Sequence, residues 1–329
     1  MTTLSRPTMR DVALEAGVSL KTVSRVINAE AGVTPATAAK VTDAIDVLGF
    51  ERNDLARSLR QGRSSATLGL VIEDVANPFY SAVAQAVESV ARERGFLLIT
   101  ASALEDAERE RELIGALLRR RVDALLIVPA GPDHRYISGV TRTVFLDRPA
   151  QGIAADTVLL DNLGGARRAV EHLIAQGHTR IACVADTADL YTMQERLAGY
   201  REALQAAGLA EDPVLVASGN HDVAAARAAV ERLLALPAET RPTAIFAANN
   251  RNTVGALHAL ADKPLALVGF DDFELADLLG VTVMRADPWR LGEQAAALAF
   301  ARLDGDDRPP LEITVPTELI VRGSGEVAP

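Results

Sequence analysis

Apolar and polar positions follow two different periods along this chain. In about the first 50 residues, apolar side chains recur every three to four positions within short segments, as on one face of an amphipathic helix. From residue 66 onward, short apolar runs alternate with helical segments of ten to eighteen residues. The first period predicts a small all-α unit. The second predicts an α/β fold in which buried parallel strands are joined by crossover helices.

The segment of residues 8–28 has the pattern of two short helices that meet at a sharp turn. Thr8 and Ser19 can cap the two helices, and Gly17 allows the turn between them. The apolar residues that would pack the pair together are Val12, Ala13, Val18, Val23 and Val26. The residues left facing outward are Leu20, Lys21, Thr22, Ser24, Arg25 and Asn28. A helix-turn-helix presents its second helix to the DNA major groove in this way, although an ordinary surface hairpin of two helices shows the same pattern.

A third helix is predicted directly after this pair. Thr34 supplies a cap, Pro35 occupies the first helical position, and Gly49 ends the helix. Its apolar stripe consists of Val41, Ile45 and Leu48. Together the three helices make one small core.

The next segment, residues 53–62, has helical features but little length. Asn53 can cap it, and Leu55 and Leu59 lie four residues apart. An isolated helix of this size is not stable in water. We therefore expect it to be disordered in solution and to become helical when it pairs with a second copy against a surface.

Alternating strands and helices fill the rest of the chain. Strands are predicted at 68–72, 96–100, 124–128, 143–146, 158–160, 181–185, 244–247 and 265–270, and helices at 79–94, 106–120, 164–176, 193–207 and 223–234. The chain is thus predicted to have a head at 1–52, a hinge helix and linker at 53–65, and an α/β core at 66–329. Within that core we expect a first lobe at about 66–160 and 287–312, and a second at about 161–286 and 313–329.

Polar and aromatic side chains recur where the predicted strands end. They are Asp74, Asn77, Phe79, Tyr80, Asp147, Arg148, Arg196, Asn249 and Asp271. Ligands of such sheets bind at the carboxyl ends of the strands. Carboxylates, amides and guanidinium groups bind vicinal hydroxyls at two points, and aromatic rings cover the apolar face of a sugar, so a polyol would satisfy the set. Each residue also has a structural alternative: Asp74 as a helix cap, Arg148 paired with Asp147, Phe79 in the core.

The chain resembles the lactose-repressor and galactose-repressor (LacI/GalR) family. The family pattern D-V-A-x-x-A-G-V-S-x-x-T-V-S-R-V-x-N occurs from Asp11 to Asn28, and the hinge pattern N-x-x-A-x-x-L occurs from Asn53 to Leu59. The resemblance implies a helix-turn-helix head and a periplasmic-binding-protein-like core of two doubly wound parallel-sheet lobes. The implied DNA-binding residues are Leu20 and Lys21 for operator choice, Thr22 and Arg25 for base reading, Ser19, Ser24 and Asn28 for phosphates, Leu59 as a minor-groove wedge, and also Thr8, Asn53 and Ala56. A pseudo-palindromic operator with a central CG step is expected, because pyrimidine–purine steps kink easily.

The resemblance extends through the core and implies a sugar effector. Phe79 and Tyr80 would sandwich the sugar ring, and its hydroxyls would be bound by Asp147, Arg148, Arg196, Asn249 and Asp271. The pair Asp147–Arg148 is similar to that of relatives that bind ribose-like sugars. This chain departs from the family at Asn250, where aspartate is usual, and at Ala286, where a ligand-binding glutamine is frequent. Trp289 could supply a ring, His221 is expected at the surface, and a purine or nucleoside corepressor is the alternative effector.

The balance of charged residues changes at the same place as the hydrophobic pattern. The formal net charge is -10, but residues 1–63 hold 9 Lys plus Arg against 7 Asp plus Glu, and the remainder holds 25 against 37. Only the first part suits a polyanion, and its small excess favours binding as two copies. A homodimer on double-stranded operator DNA is therefore expected. An effector that closes the cleft would change the separation of the hinges and shift operator affinity.

Other classes of protein are disfavoured by what the sequence lacks. No phosphate loop, dinucleotide fingerprint, His-Glu-x-x-His motif or cysteine cluster occurs, so we expect neither an enzyme nor a cofactor or metal site. No apolar run reaches about 20 residues and no signal-peptide core is visible, which predicts a cytoplasmic protein without a membrane partner. This also argues against a transport-type sugar-binding protein. Cys183 lies in an apolar run and is expected to be a small buried residue.

Overall fold

The computed structural model describes residues 7–28, 30–50, 65–139, 142–261 and 263–329. The chain divides into two compact units, residues 1–65 and residues 66–329, hereafter the head and the core. The predicted hinge residues Asn53, Ala56 and Leu59 lie outside the described residues.

The head contains the three predicted helices, α1 (Met9–Glu15), α2 (Leu20–Ile27) and α3 (Pro35–Leu48). The side chain of Thr8 accepts a hydrogen bond from the Asp11 backbone, and the Asp11 carboxylate accepts one in return, which makes a full capping box. The side chains of Ser19 and Thr34 cap the next two helices by accepting from the backbone of Thr22 and Thr37 respectively. Gly49 ends α3 with φ 60°, a left-handed conformation that favours glycine. The local rules for caps and turns therefore account for all three helices.

A small apolar core holds the head together. Val12, Val23, Val41 and Ala44 are its buried members. The other side chains that were predicted to face one another, Ala13, Val18 and Val26, are partly buried against this cluster, as are Ile45 and Leu48. The predicted packing of the head is thus confirmed.

The described part of the core contains twelve strands and seven longer helices. The strands are β1 (Thr67–Ile72), β2 (Leu97–Ser102), β3 (Ala124–Ile127), β4 (Arg142–Leu146), β5 (Asp156–Leu160), β6 (Ile181–Val184), β7 (Val216–Ala217), β8 (Ala244–Ala247), β9 (Ala266–Phe270), β10 (Thr282–Arg285), β11 (Glu312–Val315) and β12 (Glu318–Ile320). The helices are α4 (Pro78–Glu93), α5 (Ala107–Arg119), α6 (Asn162–Ala175), α7 (Tyr191–Ala206), α8 (Val223–Leu234), α9 (Asn250–Leu260) and α10 (Pro288–Leu303). Short 3₁₀ turns lie at Arg135–Ile137, Pro213–Leu215 and Ser324–Glu326.

These strands form two six-stranded sheets, one in each lobe. The order is β11-β5-β4-β3-β1-β2 in the first lobe and β12-β10-β9-β8-β6-β7 in the second. All pairs are parallel except β10 with β12. The inner strands β1, β3 and β8 are buried along their whole length, as expected for parallel strands covered by helices on both faces. The predicted α/β fold with two doubly wound lobes is confirmed.

The chain crosses between the lobes three times. It crosses after β5, after β10 and between β11 and β12. The sequence placed the last crossing at residues 312/313, but β11 pairs with β5 in the first sheet, so the crossing lies between Val315 and Glu318. Helix α10 belongs to the first lobe, where Gly292 packs so closely on α4 that a Cβ would lie 2.6 Å from the Val83 carbonyl oxygen.

Sequence-predicted bounds differ from the observed ones by one or two residues at most strand and helix ends. Strands β7, β10, β11 and β12 were not predicted from the sequence. Of these, β7, β11 and β12 are short edge strands that are less completely buried, so they lack a strong apolar run. Cys183 is fully buried in β6, and burial raises the pKa of its thiol to about 12. Among the helices of the described ranges, none combines the length and apolar character needed to cross a membrane.

Candidate functional site

A cleft between the two lobes gathers most of the predicted ligand-binding residues. The space between its walls that is not filled by atoms measures about 450 Å³, open solvent at the mouth included. Eight predicted residues line it: Asn77, Phe79, Tyr80, Asp147, Arg148, Arg196, Asn249 and Asp271. Asp74, the ninth, is not part of the lining.

Arg196, on α7, is held in the cleft by both side-chain and backbone acceptors. Its Nε donates to Asn162 Oδ1 at 2.8 Å, and its Nη1 donates to the Ala248 carbonyl at 2.6 Å and to Asp271 Oδ2 at 3.2 Å. The guanidinium also lies over the Phe270 ring, 3.7 Å from its centroid. With only 3% of its surface exposed, Arg196 is fixed in one orientation before any ligand arrives.

Asp271 follows β9 directly and adopts a left-handed conformation with φ 67°. Burial raises the pKa of this carboxyl, and the neighbouring Arg196 acts in the opposite direction. Its second oxygen, Oδ1, is buried and has no hydrogen-bond partner among the described residues. A buried acceptor without a partner is costly, so this oxygen is suited to accept from a ligand hydroxyl.

The first lobe supplies a second fixed pair, Asp147 and Arg148. The Tyr80 hydroxyl donates to Asp147 Oδ2 at 2.9 Å. Arg148 is held mainly by Glu105, through two hydrogen bonds of 2.7 and 2.5 Å, and lies 3.7 Å from Asp147. The atom nearest Asp147 is Nε, which is buried and has no hydrogen-bond partner among the described residues. The first lobe thus offers a donor that makes no hydrogen bond, and the second lobe offers an acceptor that receives none, at Asp271.

Phe79 and Tyr80 stand together at the start of α4, where Asn77 is the cap. Their ring centroids are 5.1 Å apart and the planes meet at 85°, an edge-to-face contact. Because the two rings touch each other, no sugar ring fits between them. The expected sandwich between Phe79 and Tyr80 is therefore wrong, although both rings line the cleft.

The second lobe places a carboxylate and an amide near the mouth. Asn249 caps α9 through the Asn252 backbone and donates to Asp186 Oδ2 at 3.2 Å. His221 Nδ1 lies 3.1 Å from Asp186 Oδ1. The His221 side chain is 47% exposed, so it faces solvent as expected, but it also lines the cleft.

Direct contacts join the two lobes across the mouth of the cleft. Arg251 Nη1 lies 3.1 Å from Glu73 Oε1, and its Nη2 lies 2.7 Å from Asp74 Oδ2. Beside them, Asn250 Nδ2 donates to Asn77 Oδ1 at 2.9 Å. We refer to these five residues as the clasp. Burial raises the pKa of Glu73, which Arg251 partly offsets.

Several residues of the cleft were not predicted from the sequence. They are Glu73, Glu105, Asp186, Leu190, Thr192, Met193 and Arg251. Glu73 lies directly after β1 and Asp186 lies two residues after β6, so the strand-end rule could have found both. Trp289 is not in the lining, and its indole donates to Glu293 instead. Asp272 is paired with Arg322 at 2.8 Å.

The predicted DNA-reading residues lie along α2 of the head. Leu20 is 45% exposed and Lys21 is also exposed, whereas Thr22, Ser24, Arg25 and Asn28 are partly exposed. Ser19 Oγ accepts from the Thr22 backbone at 3.1 Å. A capped helix start with backbone N–H groups at its end is a suitable partner for a phosphate. Thr8 is exposed at the start of α1.

Comparison with known proteins finds a matching protein family for each of the two units. Residues 8–53 match a family described as bacterial regulatory proteins, lacI family, and residues 170–325 match the periplasmic binding protein-like domain. The chain is 35% identical to the HTH-type transcriptional regulator CelR of Thermobifida fusca, over 97% of this chain and 98% of that protein. It is 33% identical to the ribose operon repressor of Escherichia coli strain K12, over 96% and 99% respectively.

A solved structure aligns with nearly the whole chain. The crystal structure of the lac repressor dimer bound to operator and the anti-inducer ONPF aligns with a TM-score of 0.82 and 26% identity. The alignment covers 98% of this chain and all of that one. The relatives are transcriptional regulators, in agreement with the expectation of a protein that is not an enzyme. Within the described residues, no group of three His, Cys, Asp or Glu side chains is placed to hold a metal ion.

Proposed function

The chain belongs to the LacI family of DNA-binding transcriptional regulators, and on this premise we propose that it represses transcription as a homodimer on a pseudo-palindromic operator, under the control of a ribose-like monosaccharide. Leu20, Lys21, Thr22 and Arg25 read the operator, and the hinge residues Asn53, Ala56 and Leu59 act at its centre. The exposed outer face of α2 supports the first part of this proposal.

One observation carries the proposed effector class. Arg148 Nε in the first lobe is a buried donor that makes no hydrogen bond, and Asp271 Oδ1 in the second lobe is a buried acceptor that receives none, among the residues described. A hydroxyl group both accepts and donates, so a polyol can satisfy both atoms and join the lobes. The relative named as a ribose operon repressor supports a ribose-like choice.

Control of operator affinity follows from this joining of the lobes. A ligand that binds both lobes stabilises one cleft geometry over another, and the difference appears as a change in operator affinity of about 1–3 kcal/mol. The coupling is reciprocal, so operator DNA must change the affinity for the effector by the same factor.

A thermal-shift screen followed by operator titration tests the proposal. Ribose, other pentoses, hexoses, purine bases and nucleosides are each added to the full chain, since a ligand of the folded state raises its melting temperature. We expect a sugar to raise it and the Asp271→Asn variant to lose the response. The sugar identified is then added to operator titrations followed by fluorescence anisotropy, where a changed affinity is expected. A response to purines alone would favour the alternative corepressor class, and an unchanged operator affinity would remove the coupling.

A further inference from the structure

The clasp lies on the side of the cleft that faces away from the crossings. The crossings involve β5, β11, β10 and β12, which occupy one edge of each sheet. Glu73 follows β1 and Arg251 lies in the helix that follows β8, both nearer the opposite edge. Because Glu73 and Arg251 also line the cavity, the clasp closes the mouth of the cleft.

We propose that Arg251 is a specificity-determining residue that limits the effector to a single sugar ring. This inference rests on the proposed function and adds a size limit to it. In the clasped geometry the Arg251 guanidinium reaches from the second lobe across the mouth to both Glu73 and Asp74 of the first lobe. A ligand extended by a second ring must displace this guanidinium from both carboxylates.

The displacement is costly because of where Glu73 lies. Glu73 is only 6% exposed, so it cannot recover the lost interaction from water. His221 Nε2 lies 4.0 Å from Glu73 Oε1, and its side chain is half exposed. Asp74 has a further role, since its Oδ1 accepts from the Ala76 backbone at 2.9 Å and fixes the loop. The carboxylates of the clasp are therefore fixed in position, unlike those of a solvent-exposed ion pair.

The Arg251→Ala variant of the full chain tests this inference. Isothermal titration calorimetry is used to compare ribose, glucose and galactose with cellobiose and lactose. The unaltered protein is expected to bind one monosaccharide at least about tenfold more tightly than either disaccharide, the order of effect expected when a largely buried ion pair must open. In Arg251→Ala this preference should fall by about tenfold.

Further variants separate a size limit from a loss of folding. Arg251→Lys restores a cation and should restore part of the preference, whereas Asp74→Asn removes one carboxylate outside the cavity lining and should lower it by less than Arg251→Ala does. Arg227→Ala removes an exposed pair with Glu231 on α8 of the same lobe and should leave the preference unchanged.

The outcomes distinguish this inference from the proposed function. A disaccharide that binds the unaltered protein as tightly as a monosaccharide, or a preference that Arg251→Ala leaves intact, overturns the role of Arg251 and leaves the sugar effector standing. Failure of every sugar to bind the unaltered protein removes the proposed sugar effector and, with it, this inference.

Discussion

The head and the core differ in the distance along the chain over which their critical contacts act. The helices of the head are capped by side chains that bond to a residue three positions away. In the core, the partners of Arg196 lie 34, 52 and 75 positions away. The head is thus specified by local chemistry, whereas the cleft exists only when distant segments have come together. Unit boundaries, caps and turns can be read from short windows of sequence, but the partner of a buried charge cannot.

The two units also differ in how many side chains they bury. The described head has four buried apolar residues, whereas the core has one large cluster with residues of both sheets and one further cluster in each lobe. A unit with few buried residues depends strongly on each of them, because the stability of a small domain is a small difference between large terms. Single substitutions should therefore separate the two units.

The largest effect is expected from Val23→Asp in α2. Val23 is fully buried in the head, and an unpaired carboxylate at this place costs several kcal/mol, enough to unfold the unit. Operator affinity, measured by fluorescence anisotropy, should fall more than about a hundredfold, since about 2.7 kcal/mol already corresponds to that factor. Effector binding by the core should stay unchanged.

Val47→Asp is the matched control. Val47 is 75% exposed on α3, so a carboxylate there remains in water and the head should stay folded. A Val23→Asp protein that still binds operator, or one that loses effector binding as well, would contradict the separation of the two units.

A large effect confined to the core is expected from Arg196→Met. The substitution leaves Asp271 buried without its cation and removes three hydrogen bonds, so effector affinity should fall about a hundredfold or more. Operator binding in the absence of effector should be retained. Arg201→Met on the same helix removes an exposed pair with Glu211 and should change neither property. An equal loss of effector affinity in the two variants would show that α7 tolerates no substitution. It would then give no evidence that Arg196 has its own role in effector binding.

Particular residues show how far sequence reasoning reached. Ser19 and Thr34 were found as caps because cap and partner are three residues apart. Asp147 and Asp271 were found because the chain order of strands and helices reveals where parallel strands end. Glu105 could not be found, since only folding brings it to Arg148, 43 positions away.

Some residues were located at the site correctly but were assigned the wrong contacts. The strand-end rule placed Asp74 among the sugar ligands, but this carboxylate pairs with Arg251, which lies 177 positions along the chain. The family resemblance implied that Phe79 and Tyr80 sandwich the sugar ring, but these two rings pack against each other at the start of α4. A rule that locates a residue at the site does not decide which atom that residue faces.

Acidification should affect the two units in a definite order. Burial raises the pKa of Asp271 above the ordinary 3.8, whereas hydrogen bonds from Thr8 lower the pKa of Asp11 in the capping box. The cap contributes stability above pH 3.8 and loses it only as the pH falls through the lowered value. Asp271 takes up its proton while the pH is still above 3.8. That protonation favours the folded core, but it removes the negative charge that pairs with Arg196.

As the pH is lowered, effector affinity is therefore expected to fall first. The stability that the capping box contributes to the head should be lost only at a lower pH. Calorimetric titration of the effector and far-ultraviolet circular dichroism of the same samples check this order as the pH is lowered from neutrality. An affinity that stays constant until the head loses its helices would contradict a role for ionised Asp271.

The smallest effect is expected from removing one helix cap in each of the two units. Thr34 accepts from the Thr37 backbone at 3.3 Å at the start of α3, and Asp222 accepts from the Ala225 backbone at 2.7 Å at the start of α8. Replacing either cap by Ala costs about 1 kcal/mol. The same loss shifts a smaller unit further, so calorimetry should show the head transition falling by about 4–8 °C and the core transition by about 2–4 °C.

Thr42→Ala is the control for the head. Thr42 is exposed within α3, where its hydroxyl only donates back to the Ala38 carbonyl, so its loss should leave the head transition in place. If Thr34→Ala and Asp222→Ala instead shift one common transition by the same amount, the head and the core unfold together. Local specification of the head would then describe how it forms and not how it is stabilised.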